Sequence, residues 1–396
     1  MQLSLSEAEQ LARAGAAALQ AGDAEEARRS FERLTGSGRA NAQIWLLLAY
    51  ACRQAGDPAA AEKAADEVLL KDNRNVRALL VKGDGRHAAG DDRAASSYYD
   101  TAAKLAAQAD SVPPDLQAEL ARAEQVSKAL ALGYRQQLEA YLAGAGLEAG
   151  GRSARFHESV EILLQEKQVY FQQPTAYYFP RLPQIQYYER SEFDWAAGVE
   201  AAADDMRAEL EAALALDAPF KPYLQARADR PRSDFHGLLD NPAWSTLYLW
   251  ENGGPVEQNV ARFPRTFAAV KDLPLPHITT RAPSILFSML KAGARIAPHN
   301  GMINTRLICH LPLIVPPGCG FRVGNEVREW EAGKLLIFDD TIEHEAWNDS
   351  GEDRVILIFD IWRPELTMAE RKSVAAIFEA IDSYDRPAPD EAAAPQ

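Results

Sequence analysis

Cysteine is scarce: Cys52, Cys309 and Cys319 are the only three in 396 residues, an odd number without paired spacing. That excludes a disulfide framework and thiolate-clustered metal sites, and leaves the reduced core thiols of a cytoplasmic chain. Long apolar runs are missing too, so no membrane span is expected. The first residues, MQLSLSEAEQLARAG, lack the basic stretch and apolar core of an export signal. Basic charge is the third shortage. Forty-two Lys and Arg against 57 Asp and Glu leave a formal charge of −15. Nucleic acid and anionic membrane would both repel such a chain at long range, so neither is an expected partner.

What is present is enough apolar residue, 47%, to fill packed cores, in a chain long enough for two domains. The first hundred residues repeat. QAGD ends at Asp23 and again at Asp57, and AAGD ends at Asp91, so Gly22, Gly56 and Gly90 are spaced at 34 residues, the tetratricopeptide period. Ala27, Ala61 and Ala95 lie five residues after each glycine, and Phe31, Ala65 and Tyr99 four further on. A Gly-Asp turn lets a helical hairpin reverse, and the small alanine lets its helices approach. Trp45 and Leu48 fall on one helical face of the second repeat, while Asn73 and Ala107 stand where such repeats usually carry proline. One repeat cannot bury its own apolar face, so a cap is needed, and the helical pattern from Pro114 to Leu132 provides a candidate. The array is either a structural lid or a groove for a peptide or protein partner.

Glycines around 143–151 end this pattern. FHESVEILLQEK then reads as a helix, the proline-broken stretch around FPRLP as an irregular wrap, and residues 195–216 as one helix. From Ser284 the period shortens. SILFSML, RLICHLPLIV, KLLIFDD and RVILIFDIW are strand-like runs joined by the turns KAGAR, PPGCG and EAGK. The expected fold class is α+β multidomain: an all-α tetratricopeptide-like solenoid, then a double-stranded β-helix of jelly-roll or cupin type with flanking helices. The boundaries are drawn at 1–132 for the repeats with their cap, 133–175 for a helical linker, 176–383 for the β domain and 384–396 for a disordered acidic Pro/Ala tail.

Within that β domain, His299 in PHNG, His344 in DDTIEHEAWN and Arg354 ten residues later form the informative set. Two imidazoles at the mouth of a β pocket, with an arginine on the next strand, are what a mononuclear non-haem iron site using an α-keto acid needs. The common facial triad adds a carboxylate two residues after the first histidine, and here that position is Gly301. Asp339 and Asp340 read as turn residues that support the ligands from behind. His87, His157, His236 and His277 belong to no motif.

The stretch from PHNGMINTRLICHLPLIV to RVILIFDIWRPEL resembles the aspartyl/asparaginyl β-hydroxylase family of 2-oxoglutarate-dependent oxygenases, densely over 284–366 and more loosely back to Tyr177. That resemblance accounts for Gly301, since the family dispenses with the triad carboxylate. It implies His299 and His344 as catalytic iron ligands, and Arg354 with Ser288 around the distal carboxylate of 2-oxoglutarate. It also implies Arg306 and His310 around the other carboxylate and the substrate. A planar guanidinium suits a carboxylate through paired hydrogen bonds. The cofactors implied are Fe(II), 2-oxoglutarate and O2. The reaction implied is hydroxylation of an unactivated C–H bond, taken as the β-carbon of an Asp or Asn residue in a peptide or protein. In animal relatives a basic residue upstream clamps the target carboxylate. HGLLDNPAW here holds none, which leaves Arg227, Arg230 or Arg232, or a different target: the family also acts on free or carrier-bound amino acids and on lipid acyl chains. Two other readings stand beside it. One is a repeat scaffold for protein binding with an inert β domain. The other is a cupin-type zinc hydrolase, which would need a third protein ligand.

Overall fold

The computed structural model describes residues 3–216, 218–226, 235–279 and 281–384. The chain divides into two compact units, Met1–Glu166 and Lys167–Gln396. The first is helical. Its hairpins pair α1 (Leu5–Ala21) with α2 (Ala24–Gly36), α3 (Ala42–Gln54) with α4 (Pro58–Leu69), and α5 (Val76–Ala88) with α6 (Asp92–Ala107); α7 (Pro114–Gly144) and α8 (Ala154–Leu163) follow. Each Gly-Asp dipeptide works in two steps. Gly22, Gly56 and Gly90 take φ of 82°, 79° and 76°, left-handed backbone that ends a helix and is open to a residue without Cβ. Asp23, Asp57 and Asp91 then accept from the backbone N–H of Glu26, Ala60 and Ala94, capping the next helix.

Volume is matched across each hairpin at the same period. A Cβ on Gly15 would lie 2.9 Å from the Phe31 ring, and one on Gly83 would lie 2.5 Å from Tyr99. The middle repeat carries alanine at both corresponding positions, Ala49 and Ala65, each fully buried. A large ring in the second helix is thus compatible only with glycine in the first. The helix expected to stop near Leu132 continues to Gly144. Ion pairs Arg152–Glu139 (2.8 Å) and Arg135–Glu166 (2.6 Å) tie the following segment to its extended half.

The second unit holds two antiparallel sheets. Its strands are β1 (Tyr187–Tyr188), β2 (Lys221–Pro222), β3 (Trp244–Glu251), β4 (Gly254–Pro255), β5 (Ile285–Leu290), β6 (Arg295–His299), β7 (Arg306–Ile314), β8 (Cys319–Val323), β9 (Glu326–Arg328), β10 (Leu336–Phe338), β11 (His344–Asn348) and β12 (Arg354–Trp362). The larger sheet runs β1-β10-β7-β12-β5-β3-β2 with β4 on β3, and the smaller runs β6-β11-β8-β9. The expected helix over 195–216 breaks at Ala202 into α9 (Ala196–Ala201) and α10 (Ala203–Leu214); α11 (Glu257–Val260), α12 (Pro264–Val270) and α13 (Met368–Tyr384) complete the set. Strand character was expected to begin at Ser284, yet β3 precedes it and lies inside the larger sheet beside β5.

Period-two alternation divides the larger sheet's residues. Phe287, Met289, Leu307, Leu311, Leu357 and Phe359 pack outward with Met206 and Leu210 of α10 and Val270 of α12. Trp244, Leu290 and Phe338 point the other way and meet Ile296, Phe321 and Val323 of the smaller sheet. The charged residues of the sheet's central strands, Arg306, Arg354 and Asp360, fall on this inner face. Among the described residues no helix is long and apolar enough to cross a membrane. The tail expected to be disordered lies, beyond Tyr384, outside the described residues.

Candidate active site

β6 and β11 are neighbours, and their register sets His344 opposite His299. The ring centroids are 4.1 Å apart. Each ring is held from behind, His299 Nδ1 by Ala297 O at 2.8 Å and His344 Nδ1 by Ile342 O at 3.1 Å. A carbonyl only accepts, so both rings carry their proton on Nδ1 and keep a lone pair on Nε2. Burial lowers the basicity of His299, and burial followed by the neighbouring His299 pushes His344 down to about 3. Both rings are therefore neutral at physiological pH, the state a metal requires.

Gly301, at the sequence position of the triad carboxylate, has no room for a side chain. A Cβ on Gly301 would lie 2.1 Å from Asp340 Oδ2, and the Gly301 N–H donates to Asp340 O at 2.6 Å. Asp340 occupies the space a triad carboxylate would need, so glycine is sterically required there. Its carboxyl is pushed up to about 7 by burial, against the opposing pull of Arg306 and with Asp339 and Asp360 adding to the rise. Its Oδ1 is buried and has no hydrogen-bond partner.

Arg354 opens β12 at 1% exposure and makes no ion pair among the described residues. Its Nε has no hydrogen bond, its guanidinium lies 5.3 Å from the Trp330 ring, and burial pushes it down to about 10. A buried cation without a counter-ion is costly unless an anion joins it. Strand register places Leu290 beside Arg354 and Trp244 beyond it, and the Trp244 indole donates to Ser288 Oγ at 3.1 Å. His310 stacks on Trp330 with centroids 5.7 Å apart, its Nδ1 buried and unpartnered. Burial, then Arg354 and His344, hold its basicity well below the ordinary value. Cation, hydroxyl and unpartnered imidazole thus interrupt the apolar inner face.

Arg306 differs from the expectation of a cation open to substrate or co-substrate. Its guanidinium pairs with Asp360 at 2.7 Å and stands 3.7 Å from Asp340. Asp360 was overlooked, although a charge within RVILIFDIW at the same parity as Arg354 marks an inward position. Trp330 was overlooked as well. His87 pairs with Asp92 at 2.7 Å, His157 approaches Glu161 at 3.7 Å, His277 meets Trp250 edge-on and His236 is exposed. None of them joins the site. Arg227, Arg230 and Arg232 lie outside the described residues.

Among the described residues no cluster of three or more His, Cys, Asp and Glu is arranged as a metal cage. Two neutral imidazoles with free Nε2 atoms fit a ferrous ion whose other positions go to small molecules. The carboxylate-seeking Arg354 fits an anionic co-substrate.

Residues 200–364 match the sequence model described as aspartyl/asparaginyl beta-hydroxylase, and residues 18–83 match a tetratricopeptide repeat. Mouse aspartyl/asparaginyl beta-hydroxylase is 42% identical over 143 residues, 35% of this chain and 19% of that protein. The ornithine lipid ester-linked acyl 2-hydroxylase of Rhizobium tropici is 36% identical over 45% of this chain and 60% of its own length. Human aspartate beta-hydroxylase domain-containing protein 2 is 29% identical over 52% of this chain and 55% of its own. PcrH of Pseudomonas aeruginosa, a solved structure, is 26% identical over 32% of this chain and 94% of its own, with a TM-score of 0.28. The chain thus spans between about a fifth and three fifths of these curated relatives. By the motif, the two-sheet fold and the matching sequence model, residues 200–364 are a domain of the aspartyl/asparaginyl beta-hydroxylase family, following tetratricopeptide repeats in the chain.

Proposed function

We propose that the second unit is a 2-oxoglutarate- and Fe(II)-dependent dioxygenase that hydroxylates an unactivated C–H bond, with the β-carbon of an Asp or Asn residue in a peptide or protein as target. The observation that carries this reading is Arg354, a buried guanidinium without a carboxylate, on the same inner face as Ser288 and His310. When bound, Fe(II), 2-oxoglutarate and O2 supply the oxidising chemistry, and the co-substrate leaves as succinate and CO2. This chain's own residues do the positioning. His299 and His344 hold the metal through Nε2, with their proton locked on Nδ1 against backbone carbonyls. Arg354 and Ser288 take the distal carboxylate of the co-substrate, and His310 lines its other end. Arg306, already matched with Asp360, steadies the Asp340 carboxyl that fills the space beside Gly301. The aromatic rings Phe321, Trp330 and Phe338 packed on His310 exclude water around it. The repeat unit is proposed to hold a protein partner in its groove.

The test is succinate formation by the purified full chain with Fe(II), 2-oxoglutarate and O2, beside His299→Ala and His344→Ala. Turnover above background that both variants abolish supports the reading. Absence of turnover together with absence of Fe(II)-dependent 2-oxoglutarate binding refutes it, leaving the repeat scaffold. Asp- and Asn-containing peptides and acyl amides are then compared as prime substrates. Stimulation by acyl amides alone would refute the Asp/Asn target and leave the oxygenase reading standing.

A further inference from the structure

A side-chain network lies behind both histidine loops and is not part of the metal or co-substrate contacts. Its centre is the ion pair Asp339–Arg363, at 2.6 Å, with both side chains at 0% exposure. Among the described residues no other ion pair is so completely enclosed. Asp339 Oδ1 accepts from the Thr341 N–H (3.0 Å) and Oγ1 (2.6 Å), which closes the turn leading to His344. Asp339 Oδ2 accepts from Arg363 Nη1 and from Gln172 Nε2, both at 2.6 Å. Every acceptor of this carboxylate is therefore used.

The same residues reach the loop after His299. Gln172 Oε1 accepts from Asn304 Nδ2 at 2.9 Å, and Arg363 Nη1 also approaches Asn304 O at 3.4 Å. Thr341 O accepts from Asn300 Nδ2 at 2.9 Å and from the Gln173 N–H at 2.7 Å. The other arm of Arg363 is anchored away from both loops, on Pro183 O (2.9 Å) and Tyr188 OH (2.6 Å). The turn before His344, the loop after His299 and the segment 172–188 are thus stitched to one guanidinium.

We propose that Asp339, Arg363 and Gln172 form a positioning clamp that fixes the separation of the His299 and His344 loops and thereby sets metal affinity. The proposal rests on the reading of those histidines as metal ligands. Stability is a poor explanation for the pair, because two charges withdrawn from water gain little over apolar residues of the same size. What an apolar pair lacks is direction. Each hydrogen bond here ends on one of two loops that must agree for two Nε2 atoms to share one ion, and such outer contacts commonly govern metal affinity about 10- to 100-fold.

The test uses Co(II) as probe on the full chain, reading both its affinity and its visible absorption. The double variant Asp339→Leu/Arg363→Met removes both charges together; the Thr341 and Gln172 donors lose their acceptor, so it is expected to melt lower yet stay folded. It should bind Co(II) about tenfold or more weakly, with a changed absorption band. Gln172→Ala leaves no buried charge unpaired and should weaken Co(II) in the same direction, by about threefold or more. Co(II) affinity within twofold of the unaltered chain in the folded double variant overturns the clamp. If the double variant does not fold, unchanged affinity in Gln172→Ala overturns it alone. His299→Ala and His344→Ala separate the two claims. If they leave Co(II) binding intact, the two-histidine reading fails and takes the clamp with it; if they abolish it while the clamp variants bind normally, only the clamp falls.

Discussion

Replacing Arg354 with methionine is expected to stabilise the ligand-free protein while removing its capacity for 2-oxoglutarate. Burial brings this guanidinium from its ordinary strongly basic value down to about 10. At about 1.4 kcal/mol per tenfold change, that opposes folding by about 3 kcal/mol at neutral pH. The sign follows from which form is disfavoured. The protonated form is the costly one in the folded state, so the penalty is complete below pH 10 and fades only as the pH climbs towards the ordinary arginine value. The Trp330 face returns about 1–2 kcal/mol of it through its attraction for the cation. Methionine fills much of the stem's volume without charge, so the variant should gain about 1–2 kcal/mol. Urea unfolding followed by tryptophan fluorescence measures this. Repeating it with Mn(II) and 2-oxoglutarate at 100 times its dissociation constant should add about 2.7 kcal/mol to the unaltered chain and nothing to the variant. A loss of more than about 1 kcal/mol in the ligand-free variant would refute the reasoning, because it would mean that Arg354 is compensated without any anion.

Gly301→Asp restores the triad carboxylate in sequence but not in space: its Cβ would fall 2.1 Å from Asp340 Oδ2, on backbone already bonded to Asp340 O. It should cost about 2–4 kcal/mol and gain no metal affinity, read by thermal melting and Co(II) titration. Gly83→Ala presses on the Tyr99 ring at 2.5 Å and should cost about 1–3 kcal/mol; adding Tyr99→Ala should cost less than the two single losses together, as measured by circular dichroism melts. Asp57→Ala removes the acceptor for the Ala60 N–H and an ion pair to Arg28 at 3.1 Å, and should lower the melting temperature in the same melts.

The features legible in the linear chain are those that neighbouring residues decide among themselves. A Gly-Asp pair is enough to end one helix and cap the next, so the 34-residue period exposed the repeats before any packing was known. RVILIFDIW and RLICHLPLIV were likewise legible as strands, because β-branched and aromatic residues favour extended backbone. β3 was missed although WSTLYLWE carries the same residue types, since it stands apart from the other runs. The end of α7 was misplaced because Gly133, which follows Leu132, lies inside the helix, and Arg152 and Glu166 pair with its extended half.

The chemistry of the site depended on residues distant in sequence. The histidine motifs named candidate ligands, but only the β6–β11 register brings their rings to 4.1 Å. Only the fold shows that the space beside Gly301 is taken by Asp340, and that Arg306, expected near the co-substrate's other carboxylate, already faces Asp360. Arg354 and Arg363 are the same residue type on the same strand and its extension. One is buried alone and the other is bound to Asp339, and no local pattern separates them. Local backbone preference is a property of a few adjacent residues, whereas the energy of a buried charge depends on which distant group the fold sets against it. The sequence by itself therefore determined the repeats, the strands and the candidate ligands, and tertiary structure alone decided which charges meet a partner and which await one.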